Sequence, residues 1–288
     1  MRLNSSQLEA FQAAAKTLNF TRASALLHIT QSALSQRISK LEEDLGTTLF
    51  IRDRNSVRLT EAGHETLRFC RLNESAESEL LGRLKDPAGG FSGVLRIGGF
   101  SSVNRSLVVP ALSGLMSAHP ALSIQLFTRE IRELDALLKS SEADYILTSR
   151  KPYSAELESV FLGVEENVLV KSRKARVEGI YLDHDESDEV TRSYFRQNKL
   201  AFKPAGMRYL DDVYGLLDGV RAGYGMAVLP VHLISGMKDL ELIEPSRRLR
   251  VPVHLQYFAL PYYRSLHAPV VEALRSHFRS RLSQSPVG

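Results

Sequence analysis

The chain has little sulfur, no long apolar run and no recognisable catalytic signature. Its one cysteine, Cys70, cannot form a disulfide within the chain, so nothing asks for an oxidising compartment. An uncharged stretch of apolar character, residues 224–237, is broken by Pro230 and His232. It falls short of the ~20 apolar residues that a bilayer crossing needs. The opening residues 1–7 lack the apolar centre of a signal peptide. These absences lead to the expectation of a cytoplasmic protein with no membrane partner. No Gly-x-Ser-x-Gly elbow and no glycine-rich loop ending in Gly-Lys-Ser/Thr occurs. Gly223-Tyr224-Gly225 lacks the third glycine of a dinucleotide fingerprint, and Asp183-His184-Asp185 has no second histidine or cysteine at metal-ligand spacing. A non-enzyme without cofactor or metal is therefore expected.

What remains is an ordinary globular composition, 43% hydrophobic and 24% charged, in a chain of 288 residues with room for about two domains. The net charge is +4. Residues 1–60 hold eight cationic side chains against five acidic ones, so most of the surplus lies in a fifth of the chain. That asymmetry points to a polyanionic partner.

Leu8, Phe11, Ala15 and Leu18 recur at helical spacing. Thr21 is a candidate N-cap for a short helix over 22–27, and Thr30 for a third helix. In the third, Leu34, Ile38, Leu41 and Leu45 form one apolar stripe and Gly46 supplies the stop. Its other face carries Ser32, Ser35, Gln36 and Ser39, flanked by Lys40. A recognition helix must enter the major groove, so small polar groups and a glutamine able to pair with adenine suit that face. Arg37 has two options, pairing with Glu42 or contacting a phosphate. A plain three-helix bundle with a solvated polar face would show the same periodicity. Residues 49–60 then read as two short strands around a polar turn over 53–56. Arg52, Arg54 and Arg58 make this hairpin a wing suited to phosphates or the minor groove. From Thr60, an N-cap, a long helix runs to about residue 85. Its apolar residues Leu67, Cys70, Ala76, Leu80, Leu81 and Leu84 are too few for a core of their own, which calls for a partner helix from a second copy. Residues 86–90 read as a linker.

The run Phe20-Thr21-Arg22-Ala23-Ser24-Ala25-Leu26-Leu27-His28-Ile29-Thr30-Gln31-Ser32-Ala33-Leu34-Ser35 resembles the signature of LysR-type transcriptional regulators. So do residues 41–50 and Leu59-Thr60-Glu61-Ala62-Gly63. With the residue-level reading, the resemblance implies double-stranded DNA as partner. The expected contacts are Thr30, Gln31, Ser32, Ala33, Ser35, Gln36, Arg37 and Lys40 on the helix and Arg52 and Arg54 on the wing. It also implies a homodimer or dimer of dimers, and contact with RNA polymerase if the protein activates. Gln36 departs from the arginine that many members carry there, which puts guanine readout at that position in doubt.

After residue 93 strands alternate with helices, the pattern of a parallel α/β sheet. Strands are expected at 93–98, 123–127, 144–148, 160–170, 179–183, 201–202, 226–229 and 256–260, and helices at 101–115, 130–139, 213–222 and 268–282. The acidic cluster over 183–189 and the basic Arg247, Arg248 and Arg250 read as solvated surface. This half resembles the family's effector domain, itself similar to periplasmic solute-binding proteins, with two α/β lobes joined by two crossover strands. The implied organisation is a winged helix-turn-helix at 1–60, a linker helix at 61–91 and an effector domain at 92–288. Lobe I would take about 92–162 and 261–288, and lobe II about 163–260. A small-molecule effector, an amino acid or carboxylate, would sit between the lobes at strand ends facing helix starts. Ser101, Ser102, Thr128 and Thr148 are the candidate polar contacts. Glu130 and Asp183 would favour a cationic effector such as a basic amino acid. The rival expectation is a solute-binding or sensor protein whose N-terminal helices serve protein contacts only.

Overall fold

The computed structural model describes residues 3–53, 56–85, 90–174, 178–260 and 262–284. Arg54 and most of the expected linker, residues 86–89, lie outside the described residues. The backbone divides into two compact units, residues 1–93 with 139–142, and residues 94–138 with 143–288.

In the first unit, α1 (Ser5–Thr17) opens on a capping box between Asn4 and Gln7. Helix α2 (Phe20–Leu26) is capped by Asn19, whose side chain accepts from the Arg22 amide at 2.9 Å, and not by Thr21. Asn19 holds the extended backbone of a cap, while Thr21 is already helical and donates its hydroxyl to Gln31 Oε1 at 3.3 Å. Helix α3 (Gln31–Leu45) starts on Thr30, which accepts from the Ala33 amide at 3.2 Å, and stops on Gly46 at φ +68°. Leu34, Ile38 and Leu41 are fully buried with Phe11 and Leu49, so α3 presents its polar face outward.

Strands β1 (Phe50–Arg52) and β2 (Val57–Leu59) form an antiparallel hairpin. Glu42 does not pair with Arg37. Its carboxylate instead accepts the amides of Leu49 at 2.7 Å and Phe50 at 3.3 Å, which fastens the hairpin to α3. Thr60 caps α4 (Glu61–Lys85) by accepting from the Gly63 amide, and it donates to the Thr48 carbonyl. Gly63 is needed there, because a Cβ would stand 2.3 Å from the Leu49 carbonyl oxygen. Leu67 and Cys70 complete this core, and burial pushes the Cys70 thiol up to about 12.

The second unit runs β3 (Gly93–Gly99), α5 (Ser101–Val103), a π-helical turn (Asn104–Val108), α6 (Val109–Ala118), β4 (Leu122–Thr128), α7 (Ile131–Lys139) and β5 (Tyr145–Thr148). The long β6 (Leu157–Ser172) leads to β7 (Ile180–Asp183), α8 (Val190–Gln197), β8 (Gly206–Tyr209), α9 (Val213–Arg221), β9 (Met226–Pro230), α10 (Val231–Ile234) and β10 (Leu240–Leu242). Strand β11 (Leu249–Phe258) returns and α11 (His267–Arg281) follows. The sheet order is β4-β3-β5-β11-β6-β9-β7-β8, with β10 also on β6. Strands β3 and β5 pair in parallel in lobe I, as do β7, β8 and β9 in lobe II. The antiparallel pair β6 and β11 runs between them, which makes the sheet mixed rather than purely parallel.

Strands β8 and β10 and helix α10 were not among the expected elements, and three further segments depart from expectation. Residues 201–202 form no strand: Phe202 packs its ring against Tyr181 and Phe195 from a loop, so its apolarity marks burial without a ladder. Helix α8 was not apparent, because Val190, Thr191, Tyr194 and Phe195 are residues that favour strands; its buried face holds it helical. The returning strand begins at Leu249 and not near 256, since it spans both lobes.

Candidate functional site

On α3, Thr30, Gln31, Ser32, Gln36, Ser39 and Lys40 are exposed, while Ala33, Ser35 and Arg37 are half-buried. The polar residues thus share the surface opposite the buried Leu34–Ile38–Leu41 stripe. Thr30 Oγ1 and Ser32 Oγ lie 3.0 Å apart. Lys40 is held along the helix by Glu43 at 3.0 Å and Asp44 at 3.3 Å, and those hydrogen bonds raise its pKa. Arg37 forms no ion pair among the described residues, which leaves its guanidinium available to an external anion. On the hairpin, the Arg52 guanidinium lies 4.2 Å from the centroid of the Phe20 ring, a cation–π contact that fixes it beside the start of α2. Arg58 approaches Asp53 at 3.5 Å.

Within the second unit, a cleft of about 510 Å³ opens between the lobes. Ser101, Ser102, Thr128 and Glu130 line it, together with residues of β6, β9, β11 and the segments after β7 and β8. Asn104 holds the Thr128 edge, donating to Thr128 Oγ1 at 3.2 Å and to the Gly99 and Phe127 carbonyls.

Thr148 and Asp183 are not in the cleft. Thr148 is fully buried beside β11 and accepts from the Arg150 amide. Asp183 is 2% exposed and faces α8, where the Thr191 hydroxyl donates to it at 2.5 Å. Burial pushes its carboxyl up to about 6. Successive side chains at a strand end point to opposite sides, so His184 lines the cleft in its place. Burial lowers the His184 pKa, but Asp188, 2.6 Å from Nδ1, more than offsets this and the net shift is upward. Burial likewise works against Asp188, whose pKa is nonetheless lowered by His184 and by the amides of Val190 and His184.

The floor of the cleft holds residues that the sequence reading missed. Glu165, on β6, is 4% exposed. Its Oε1 accepts from the Ser102 hydroxyl at 3.1 Å and lies 2.8 Å from His232 Nε2. Its Oε2 meets the Asn167 amide at 3.5 Å. His232 Nδ1 reaches Ser106 Oγ at 2.9 Å, and Ser106 donates to the Ser102 carbonyl. One available signal was the polar triplet Glu165-Glu166-Asn167 inside the otherwise apolar run over 160–170.

The chain matches the family model for "bacterial regulatory helix-turn-helix protein, lysR family" over residues 5–64, and that for "LysR substrate binding domain" over residues 88–283. The HTH-type transcriptional regulator IlvY of Escherichia coli K12 is 27% identical, over 92% of this chain and 95% of its own. The regulator ShiR of Corynebacterium glutamicum is 30% identical over 77% of this chain and 80% of its own. Among solved structures, ArgP of Mycobacterium tuberculosis has a TM-score of 0.80 at 20% identity, with 99% of this chain and 100% of that one covered. Full-length LysG of Corynebacterium glutamicum with bound effector Arg has a TM-score of 0.76 at 20% identity, covering 97% and 99%. At such identities these structures speak to a shared fold.

Proposed function

Because this chain belongs to the LysR family, DNA-binding transcriptional regulators with an effector-binding domain and not enzymes, we propose how its own residues divide that work. Helix α3 reads the major groove through Ser32, Ser35 and Gln36, with Thr30, Gln31 and Ala33 at its leading end. Arg37 and Arg52 hold phosphates, and Lys40 does so by exchanging its intrahelical partners. Arg54 belongs to the same wing by sequence.

The effector is a small metabolite, an amino acid or carboxylate, in the cleft lined by Ser101, Ser102, Thr128 and Glu130. Its size suits a ligand of that class, and the neighbour LysG carries arginine. The functional unit is a homodimer, or a dimer of dimers, that uses the exposed leucines of α4. Effector binding shifts it between two states by differential affinity, and an activator would in turn contact RNA polymerase.

The observation that carries this reading is the polar face of α3 outside a fully buried stripe. Titrating duplex binding against salt, with sites selected from a random pool with and without amino acids, tests it. Affinity should fall steeply with salt and exceed that for random DNA, and one amino acid or carboxylate should change the selected complex. Flat, sequence-blind binding would sink the division proposed for α3 and the wing.

A further inference from the structure

Taking the cleft as the effector site, we propose that Glu165 determines effector specificity by receiving a cationic nitrogen group, an ammonium or guanidinium, on Oε2. An ionised carboxylate accepts about four hydrogen bonds, and burying one without them is costly. Glu165 is 4% exposed and its two oxygens are unequally satisfied. Oε1 is engaged by Ser102 at 3.1 Å and His232 at 2.8 Å. Among the described residues Oε2 meets only the Asn167 amide, at 3.5 Å, the outer limit of a hydrogen bond. The cleft therefore has at its floor a buried acceptor, held in orientation, with unused capacity.

The surroundings select the charge of the donor. The described residues lining the cleft include eight carboxylates against two arginines, Arg129 and Arg132. Such a wall raises the local concentration of cations and disfavours an anionic group at the floor. Ser101 and Thr128 contribute hydroxyls that serve neutral parts of the same ligand.

His232 and Ser106 are positioning residues. Ser102 and Ser106 come from lobe I, His232 from α10 of lobe II and Glu165 from the crossover strand β6. Their contacts form a closed circuit: Ser102 to Glu165, Glu165 to His232, His232 to Ser106, and Ser106 back to the Ser102 carbonyl. A cation on Oε2 thus touches a carboxylate that ties a hydroxyl of the first lobe to an imidazole of the second. Binding at the floor is felt by both lobes through two hydrogen bonds.

The test uses the full-length protein and calorimetric titration with arginine, lysine, agmatine, glutamate and citrulline, the last being the neutral isostere of arginine. At least one cation should bind, with citrulline weaker by about 10–100-fold, the range of a charge-assisted hydrogen bond. Glu165→Gln keeps an acceptor for Ser102 and His232 but presents an amide where Oε2 stood, so cation affinity should fall about 10–100-fold and the preference over citrulline should vanish. Unchanged DNA affinity and melting temperature establish that this variant is folded. His232→Gln, which still donates to Glu165, should keep the cation preference, whereas His232→Ala should weaken it.

Ser101→Phe separates the two readings. Undiminished binding in that variant overturns the cleft itself as the effector site. Loss of binding in Ser101→Phe with an intact cation preference in Glu165→Gln overturns the role of Glu165 alone. Failure of all three cations at millimolar concentration, or tighter binding of glutamate or citrulline, also overturns the proposal.

Discussion

Gln36 lies on α3 between the buried residues Leu34 and Ile38, so its amide is carried on the outward surface by a backbone that the core holds firmly. A bidentate amide contact to adenine is worth about 1–3 kcal/mol of discrimination. Gln36→Ala should cost about that much on the preferred duplex and relax one base position. Equal losses across all sequences in a competition assay would show that Gln36 does not read bases. Asp183 poses a different single-residue question. Its carboxyl is raised from 3.8 to about 6, so the native state binds a proton more tightly than the unfolded chain. The resulting penalty is absent below pH 3.8, grows as pH rises towards about 6 and is complete above it. Asp183→Asn retains an acceptor for Thr191 and should raise stability at pH 7.5 by about 1–3 kcal/mol, with no gain below about pH 4. Urea unfolding at the two pH values decides, and an equal effect at both would exclude ionisation as the cause.

Helix α4 has two halves of different character. Leu67 and Cys70 are buried in the core of the first unit, whereas Leu80, Leu81 and Leu84 are 58%, 54% and 70% exposed. Leucines this exposed, within four residues of one another on a helix, form an apolar face that a single chain leaves in water. If α4 carries the proposed dimer, the double change Leu80→Lys and Leu84→Lys should convert it to monomer and weaken binding to a two-half-site duplex at least tenfold, on the order of 1.4 kcal/mol. Sedimentation at micromolar concentration reads the mass directly, and an unchanged dimer would move the interface off α4. The wing is an element of the same kind, too small to fold alone. Its three-residue strands depend on Glu42 for their first amides and on the stacking of Arg52 over Phe20.

At the scale of the whole molecule, the residues proposed to meet DNA and those proposed to meet the effector belong to separate compact units. A change confined to the cleft should therefore leave the reading helix intact. Ser102→Phe places a ring in the cleft and removes the hydroxyl donated to Glu165. Its affinity for the selected duplex should match that of the parent, while the change produced by effector should disappear. Gel-shift and footprinting experiments with and without effector distinguish this from a folding defect, which would lower both. A retained effector response would mean that the ligand sits elsewhere in the second unit.

The sequence by itself determined the first unit closely, because its signals are local. The stripe of Leu34, Ile38 and Leu41, the Thr30 and Thr60 caps and the Gly46 stop each act within a few residues of chain. The alternation that marked the second unit was equally local, although α8 was lost because aromatic and β-branched residues speak for strands until packing overrules them. Which polar groups face the cleft was a matter for tertiary structure. Asp183 and His184 are adjacent in sequence, yet one is closed in under Thr191 and the other opens to the cleft. Glu165, Ser106 and His232 meet only because β6 crosses between lobes and α10 closes on it, with Ser106 and His232 126 residues apart. A buried carboxylate is tolerable only where such distant donors converge, and no pattern along the chain records that convergence.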